Sequence, residues 1–171
     1  VCGGIPQLQN DEIIIAALMD TGMSKEDAYN YSIVGCVEPA GTGNEWPACG
    51  MTGRESIWNM MDVIQLTING GVNPRTGKTA VPCRKLYEYK SFDEVKKAFE
   101  TEMKYVLDWT ISYANLFEMV YSHYFPCIVA SSMTEGCLDS GRDVTQGGAK
   151  YNRTGITACG TANVGDSLTA I

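Results

Sequence analysis

Histidine is almost missing from this 171-residue sequence, which holds His123 alone. A histidine-rich metal site or a cysteine–histidine hydrolase would have little to draw on. Basic residues are also few: thirteen Lys and Arg against twenty Asp and Glu give a formal charge of −7. That is the wrong sign for a nucleic-acid surface, which needs clustered cations. No apolar run approaches the roughly 20 residues a membrane helix requires. The start, Val1-Cys2-Gly3-Gly4, has neither Met nor a basic n-region, so no signal peptide is expected. The seven cysteines (Cys2, Cys36, Cys49, Cys83, Cys127, Cys137 and Cys159) contain no C-x-x-C pair and are odd in number. Neither a zinc site nor a disulfide framework is expected, and most of them read as buried, reduced thiols of a cytosolic protein. Charged residues make up only 19%, low enough to predict that part of the surface is covered by other protein. A start without Met and a stop at Ile171 within a helical pattern predict a piece of a longer chain.

What is present is a series of amphipathic segments without internal repeats. Asp11 to Asp20 predicts a helix with Ile13, Ile14, Ala17 and Leu18 on one face, closed by Gly22. Ser24-Lys25-Glu26-Asp27 opens a second, running toward Val34. Residues 35–51, rich in Gly and Pro, read as one long loop. Thr52-x-x-Glu55 has the form of a capping box, and the helix after it would turn Ile57, Met60, Met61, Ile64 and Ile68 inward, ending at Asn69-Gly70-Gly71. Asn73 to Lys78 is a surface turn. Ser91-x-x-Glu94 starts a long helix with Val95, Ala98, Phe99, Val106, Trp109, Tyr113, Phe117 and Val120 in period, stopped by Pro126. The apolar run Cys127 to Ser132 and the segment Ile156 to Cys159 read as short strands, and a helix follows the second. Long helices alternating with short strands point to an α/β fold, and 171 residues fit one domain or part of a larger one.

Loops of about 15 residues are uncommon in compact domains and tend to be functional. The 35–51 loop opens with Cys36 and Glu38. A thiol can act as a nucleophile once ionised, and its weak S–H bond also makes it a hydrogen-atom donor to carbon radicals. A carboxylate two residues along an extended backbone projects to the same side, where it could exchange a proton with a neighbouring substrate atom. Cys-x-Glu alone is a common chance pairing, equally readable as a buried Cys beside a surface Glu. Trp46 in the same loop, with Ser131 and Ser132, are further candidates for substrate contact. Gly41-x-Gly43 lacks the Lys-Ser/Thr or the third glycine that a phosphate or dinucleotide loop would need.

Ile33-Val34-Gly35-Cys36-Val37-Glu38-Pro39 resembles the active-site loop of glycyl radical enzymes outside the pyruvate formate-lyase branch. Further matches to that family follow in order. They are Asn69-Gly70-Gly71, the run from Met133 through Glu135-Gly136-Cys137 to Ser140-Gly141-Arg142-Asp143-Val144, then Gly147-Gly148-Ala149 with Tyr151-Asn152, and Asn163 with Asp166-Ser167-Leu168. Upstream, Asn10-Asp11-Glu12 before an apolar helix also fits.

The resemblance implies part of a ten-stranded β/α barrel made of two antiparallel half-barrels. It implies that Cys36 forms the thiyl radical and that Glu38 is the general acid–base. The radical glycine itself, in an Arg-Val-x-Gly-Tyr-like motif, and the N-terminal half of the barrel fall outside these residues, so this piece alone is expected to be inert. No cofactor would be bound by this chain. An activating enzyme using S-adenosylmethionine and an iron–sulfur cluster would generate the radical. The other implied partners are a small-molecule substrate, the remainder of the same enzyme and a second copy of it. Oxygen sensitivity implies an anaerobic bacterial cytoplasm, with a microcompartment among the settings it allows. A single Cys followed by Val-Glu resembles neither the Cys-Cys pair of pyruvate formate-lyase nor the succinate-adding members, which lack the carboxylate. Elimination from a small hydroxylated substrate (a dehydratase, or a C–N or C–S lyase) is the favoured reaction, with arylacetate-type decarboxylation as the alternative. A non-catalytic module that kept the fold is the alternative of another class.

Overall fold

A computed structural model describes residues 9–35, 37–47 and 56–171. It divides into two compact units, residues up to 55 with Glu118–Gly155, and Ser56–Phe117 with Ile156–Ile171.

In the first unit, helix α1 (Asp11–Asp20) begins where the Asn10 side chain accepts the Ile13 N–H as its cap. Helix α2 (Lys25–Tyr29) is capped by Ser24, whose hydroxyl accepts from Asp27 N. Leu18, Met23 and Ala28 form a small core between the two, with Ile14, Ile15, Tyr31 and Tyr151 packed on it. Ile13, expected inward, is exposed.

The second helix does not run to Val34. It ends at Tyr29, and Tyr31–Val34 form strand β1, because Tyr, Ile and Val suit a pleated surface better than a helix flank. Strand β2 (Glu38–Gly41) returns antiparallel, with Tyr31 opposite Gly41 and Val34 opposite Glu38. Both strands are edges of a two-stranded sheet, which is where Pro39, lacking an N–H, can be tolerated. The expected long loop is thus a hairpin followed by a turn at 42–44 and strand β3 (Glu45–Trp46), which pairs in parallel with β5 (Tyr151–Asn152).

The run Cys127 to Ser132 is also corrected. Ile128–Ser132 form one helical turn, α5, and Ile128 and Val129 are exposed. A six-residue apolar run cannot be assigned by periodicity alone, and Pro126 just before it favours a helix start over a strand interior. Helix α6 (Cys137–Ser140) lies between Gly136 and Gly141, both left-handed. Cys137, Val144 and Ala149 make a second small core, against which Trp46, Cys127 and Ala130 pack.

In the second unit, strand β4 (Ser56–Asn59) leads straight into helix α3 (Met60–Ile68). Asn59 is the cap, accepting from Met61 N at 3.0 Å. The proposed capping box at Thr52 and Glu55 lies outside the described residues, and the helix starts later than expected, leaving Ile57 exposed on the strand. Val63, Ile64, Leu66 and Thr67 are buried. Asn69 and Gly70, the latter with φ 72°, close the helix as anticipated. Strand β6 (Ile156–Cys159) pairs with β4 in parallel, Ser56 opposite Ile156 and Asn59 opposite Cys159, and leads into α7 (Thr161–Ala170). This β–α pairing is the repeating unit of a β/α barrel. Helix α4 (Phe92–Tyr124) has the expected span, but only the first part of its apolar stripe is covered: Val95 is buried, while Trp109, Tyr113 and Val120 are exposed. Among the described residues no helix is long and apolar enough to cross a membrane.

Candidate functional site

Cys36 lies outside the described residues, as do Cys2 and Cys49. Its neighbours in sequence are well defined. Gly35 leaves β1 with φ 64°, a left-handed conformation that glycine adopts without strain. Three residues then separate Val34 from Glu38, which face each other across the hairpin. Glu38 therefore begins a strand instead of lying in a loop. It is half-buried, and its Oε2 accepts the Val37 N–H at 2.9 Å. The carboxylate is thereby turned toward the backbone of the preceding residue, Val37.

The other end of the hairpin is tied down on every side. Gly41 N donates to Glu45 Oε2 at 2.7 Å, and the Thr42 hydroxyl donates to Asn30 O at 2.5 Å. Glu135 N donates to Gly43 O at 2.8 Å, and Tyr151 N to Asn44 O at 3.0 Å. Gly41 therefore has its N–H committed within the protein, so it does not serve as a donor of an anion cradle.

Two charged clusters support this turn. Glu45, with only 1% of its side chain exposed, accepts from Arg153 Nε at 2.8 Å and Nη2 at 2.6 Å. Asp27 accepts from Tyr151 Oη (2.6 Å), Ser24 Oγ (2.7 Å) and Asn44 Nδ2 (2.9 Å), with Lys150 Nζ at 3.1 Å. The Tyr151, Ser24 and Lys150 donors hold the Asp27 carboxyl down at about 2. Lys150 also reaches Glu135 at 3.1 Å, and these two carboxylates push its ammonium above the usual lysine range. Apart from Ser24, which lies three residues before Asp27, these partners are far apart in sequence, so spacing alone could not have found them. The only signal was compositional, a Lys-Tyr-Asn-Arg run beside the glycine-rich segment.

The remaining candidates are placed in structural roles. Trp46 packs on the core around Cys137 and Val144. Ser131 Oγ donates to Cys127 O and to Asp143 Oδ2 (2.6 Å) and accepts from Val144 N, so its hydroxyl is fully engaged. Ser132 is exposed and back-bonds to Val129 O. Asp143 also takes Cys127 N, Thr145 N and Thr145 Oγ1. Burial alone would raise its carboxyl, but the Ser131 and Thr145 donors prevail and hold it at about 2. Of the described cysteines, Cys137 is buried as expected, whereas Cys159 is exposed. It lines a cleft of about 590 Å³ with Trp58, Asn59 and Asn163 at the C-terminal ends of β4 and β6. His123 is exposed in the last turn of α4, edge-on to Tyr124.

The pyruvate formate lyase-like family model matches residues 2–171. The chain is 34% identical over 175 residues to (2S)-3-sulfopropanediol dehydratase of Klebsiella oxytoca, covering 98% of this chain and 20% of that protein. Indoleacetate decarboxylase of Tractidigestivibacter scatoligenes is 30% identical over 153 residues, covering 89% of this chain and 17% of that protein. Among solved structures, the glycerol-bound B12-independent glycerol dehydratase of Clostridium butyricum superposes with a TM-score of 0.86 at 36% identity, over 98% of this chain and 21% of that one. The chain thus spans about a fifth of the length of the proteins it matches, and its α/β fold is that of a segment of their barrel. The chain belongs to the pyruvate formate lyase-like family of glycyl radical enzymes.

Proposed function

We propose that the full-length protein is a glycyl radical dehydratase acting on a small hydroxylated substrate, with Cys36 as the thiyl-forming residue and Glu38 as the general acid–base. The observation that carries this reading is the match of nearly the whole chain to dehydratases, which extends further along it than the match to the decarboxylase. The hairpin is compatible with it, since Glu38 opens β2 and its carboxylate accepts the Val37 N–H.

A glycyl radical, carried outside these residues, supplies the acceptor for the Cys36 thiol hydrogen. The Cys36 sulfur then takes a hydrogen atom from a substrate carbon bearing a hydroxyl. Glu38 removes the proton of that hydroxyl, the neighbouring C–O bond breaks, and the departing oxygen leaves as water with that proton. The substrate radical, now on the adjacent carbon, takes its hydrogen atom back from the Cys36 thiol. The substrate loses one water, the sulfur is left as a thiyl, and it regains its own hydrogen from the glycine, which restores the glycyl radical. Positioned acid–base groups contribute about 10²–10⁴-fold in rate. The reading carries with it a radical-generating activating enzyme that uses S-adenosylmethionine and an iron–sulfur cluster, a homodimer, and an anaerobic cytoplasm.

The test is anaerobic activation of the full-length protein followed by incubation with small diols and hydroxylated amino acids on one hand and arylacetates on the other. Loss of water from a hydroxylated substrate is expected. Carbon dioxide release from an arylacetate would establish decarboxylation instead, and no product from either group despite a full radical signal would favour a non-catalytic module.

A further inference from the structure

Among the ion pairs described, Glu45–Arg153 stands apart. Its carboxylate is 1% exposed, whereas the partners in Arg84–Glu94 and Lys104–Asp108 are all at least 40% exposed. Burying a charge carries a large desolvation cost that an isolated pair only partly offsets. Such a pair is a candidate for a task other than bulk stability, and its contacts indicate which one. Glu45 uses both oxygens on the Arg153 guanidinium, in the planar two-pronged geometry that lysine cannot reproduce. Its Oε2 also takes the backbone N–H of Gly41, the last residue of β2. Arg153 in turn donates to the Thr21 hydroxyl, which is itself bonded to Leu18 O at the end of α1. One carboxylate thereby fixes the base of the hairpin to a rigid helix terminus and to the segment after β5.

We propose that Glu45 and Arg153 are positioning residues for the reaction, holding the β1–β2 hairpin in the one placement that brings Glu38 to the substrate. The proposal rests on the role given to Glu38 above. Glu38 lies three residues from Gly41, about 10 Å along the strand. Every residue between them is paired with β1, so the strand transmits a shift at Gly41 to Glu38 with little damping. Gly41 itself has no latitude, because a Cβ there would stand 2.1 Å from Asn44 Oδ1. A misplacement of about 1 Å at reacting groups can cost on the order of 10²-fold in rate, so the clamp needs to shift the strand only slightly to matter.

The experiment uses the full-length enzyme, activated anaerobically, in variants Arg153→Lys, Glu45→Gln, Thr21→Val and, as a control on an exposed pair, Arg84→Lys. Turnover is normalised to radical content from electron paramagnetic resonance and to folded protein from circular dichroism. Arg153→Lys and Glu45→Gln should lower kcat by roughly 10- to 100-fold, with KM changed less than about threefold and radical content unchanged. Arg84→Lys should be silent. Thr21→Val, which removes only the outer contact, should lower kcat by about threefold. If the two direct variants fail to fold, the Thr21 variant decides alone, and wild-type kcat there overturns the proposal. Arg153→Lys with kcat within twofold of wild type, folded and radical-loaded, overturns it as well. Glu38→Gln run in parallel separates the levels. Full activity in Glu38→Gln removes the reading on which the proposal rests, whereas a dead Glu38→Gln beside a fully active Arg153→Lys removes the clamp alone.

Discussion

Gly41→Ala should damage the hairpin through a single identifiable contact. The added methyl would sit 2.1 Å from Asn44 Oδ1 and 3.1 Å from Met23 Cε. Met23 can yield a few tenths of an ångström, but Asn44 cannot yield cheaply. It is 5% exposed, and its Nδ2 is held at 2.9 Å by Asp27. Accommodating the methyl means swinging the Asn44 amide off that partner while it stays buried. Overpacking of this kind costs about 1–3 kcal/mol, and stranding a buried amide adds about 1–3 kcal/mol. A total near 3 kcal/mol corresponds to roughly a hundredfold increase in local opening. Hydrogen exchange by mass spectrometry on the full-length protein would read it at the Gly41 and Tyr151 amides, which are bonded to Glu45 and to Asn44. The decisive arm is the double variant. With Asn44→Ala already made, the methyl meets only the yielding Met23 Cε, so Gly41→Ala should then cost less by about 1 kcal/mol or more, a coupling typical of residues in contact. Equal cost in both backgrounds would refute the clash as the cause.

Other consequences follow from the same contacts. Asp143→Asn should loosen the 127–145 segment by about 1–2 kcal/mol at neutral pH, a figure reduced for the partial exposure of the carboxylate. Because the Asp143 carboxyl is held at about 2 in the folded protein, its contribution is present above about pH 4 and is lost as pH falls toward 2. Exchange protection of the Cys127 amide in wild type and variant should therefore converge in acid. Glu102 is fully buried on α4, where burial raises its carboxyl. The sign is opposite: the unfolded chain ionises first, so stability falls as pH rises above about 4.3, and Glu102→Gln should leave stability unchanged or raise it at pH 7. A clear loss of thermal stability in that variant would contradict a Glu102 carboxyl raised by burial. Gly71→Ala should be far worse, since a Cβ at φ 81° would stand 1.9 Å from Val81 O; failure to accumulate folded protein is expected, and wild-type yield would contradict it.

The helices announced themselves through caps. Ser24, Ser91 and the Asn69-Gly70 stop all sit where the sequence places them, because capping is a local interaction between residues a few positions apart. The strands were harder to read. Tyr31–Val34 and Ser56–Asn59 are four residues each, short enough that Ile57 falls into helical register with Met60, Met61 and Ile64 by accident. The better signal was Asn59, a capping residue placed after the β-branched and aromatic pair and not before it. Exposure along α4 was misjudged for a different reason. Trp109, Tyr113 and Val120 keep the helical period, but period says which face is apolar and nothing of what covers it. At the candidate site, Cys36 and Glu38 are proposed through family motifs, which are contiguous in sequence. The support under the hairpin was not legible, since Arg153 meets Glu45 across 108 residues and Tyr151 meets Asp27 across 124.

The central claim is that Cys36 carries the radical to the substrate. It is tested most directly by Cys36→Ser in the full-length enzyme, with the radical followed by electron paramagnetic resonance and the product measured in the same sample. The O–H bond of serine is too strong to be broken by a glycyl radical through hydrogen-atom transfer, so the glycyl signal should form at its normal level while product falls below detection. Normal turnover by the serine variant would contradict the thiyl mechanism and the assignment of Cys36 with it.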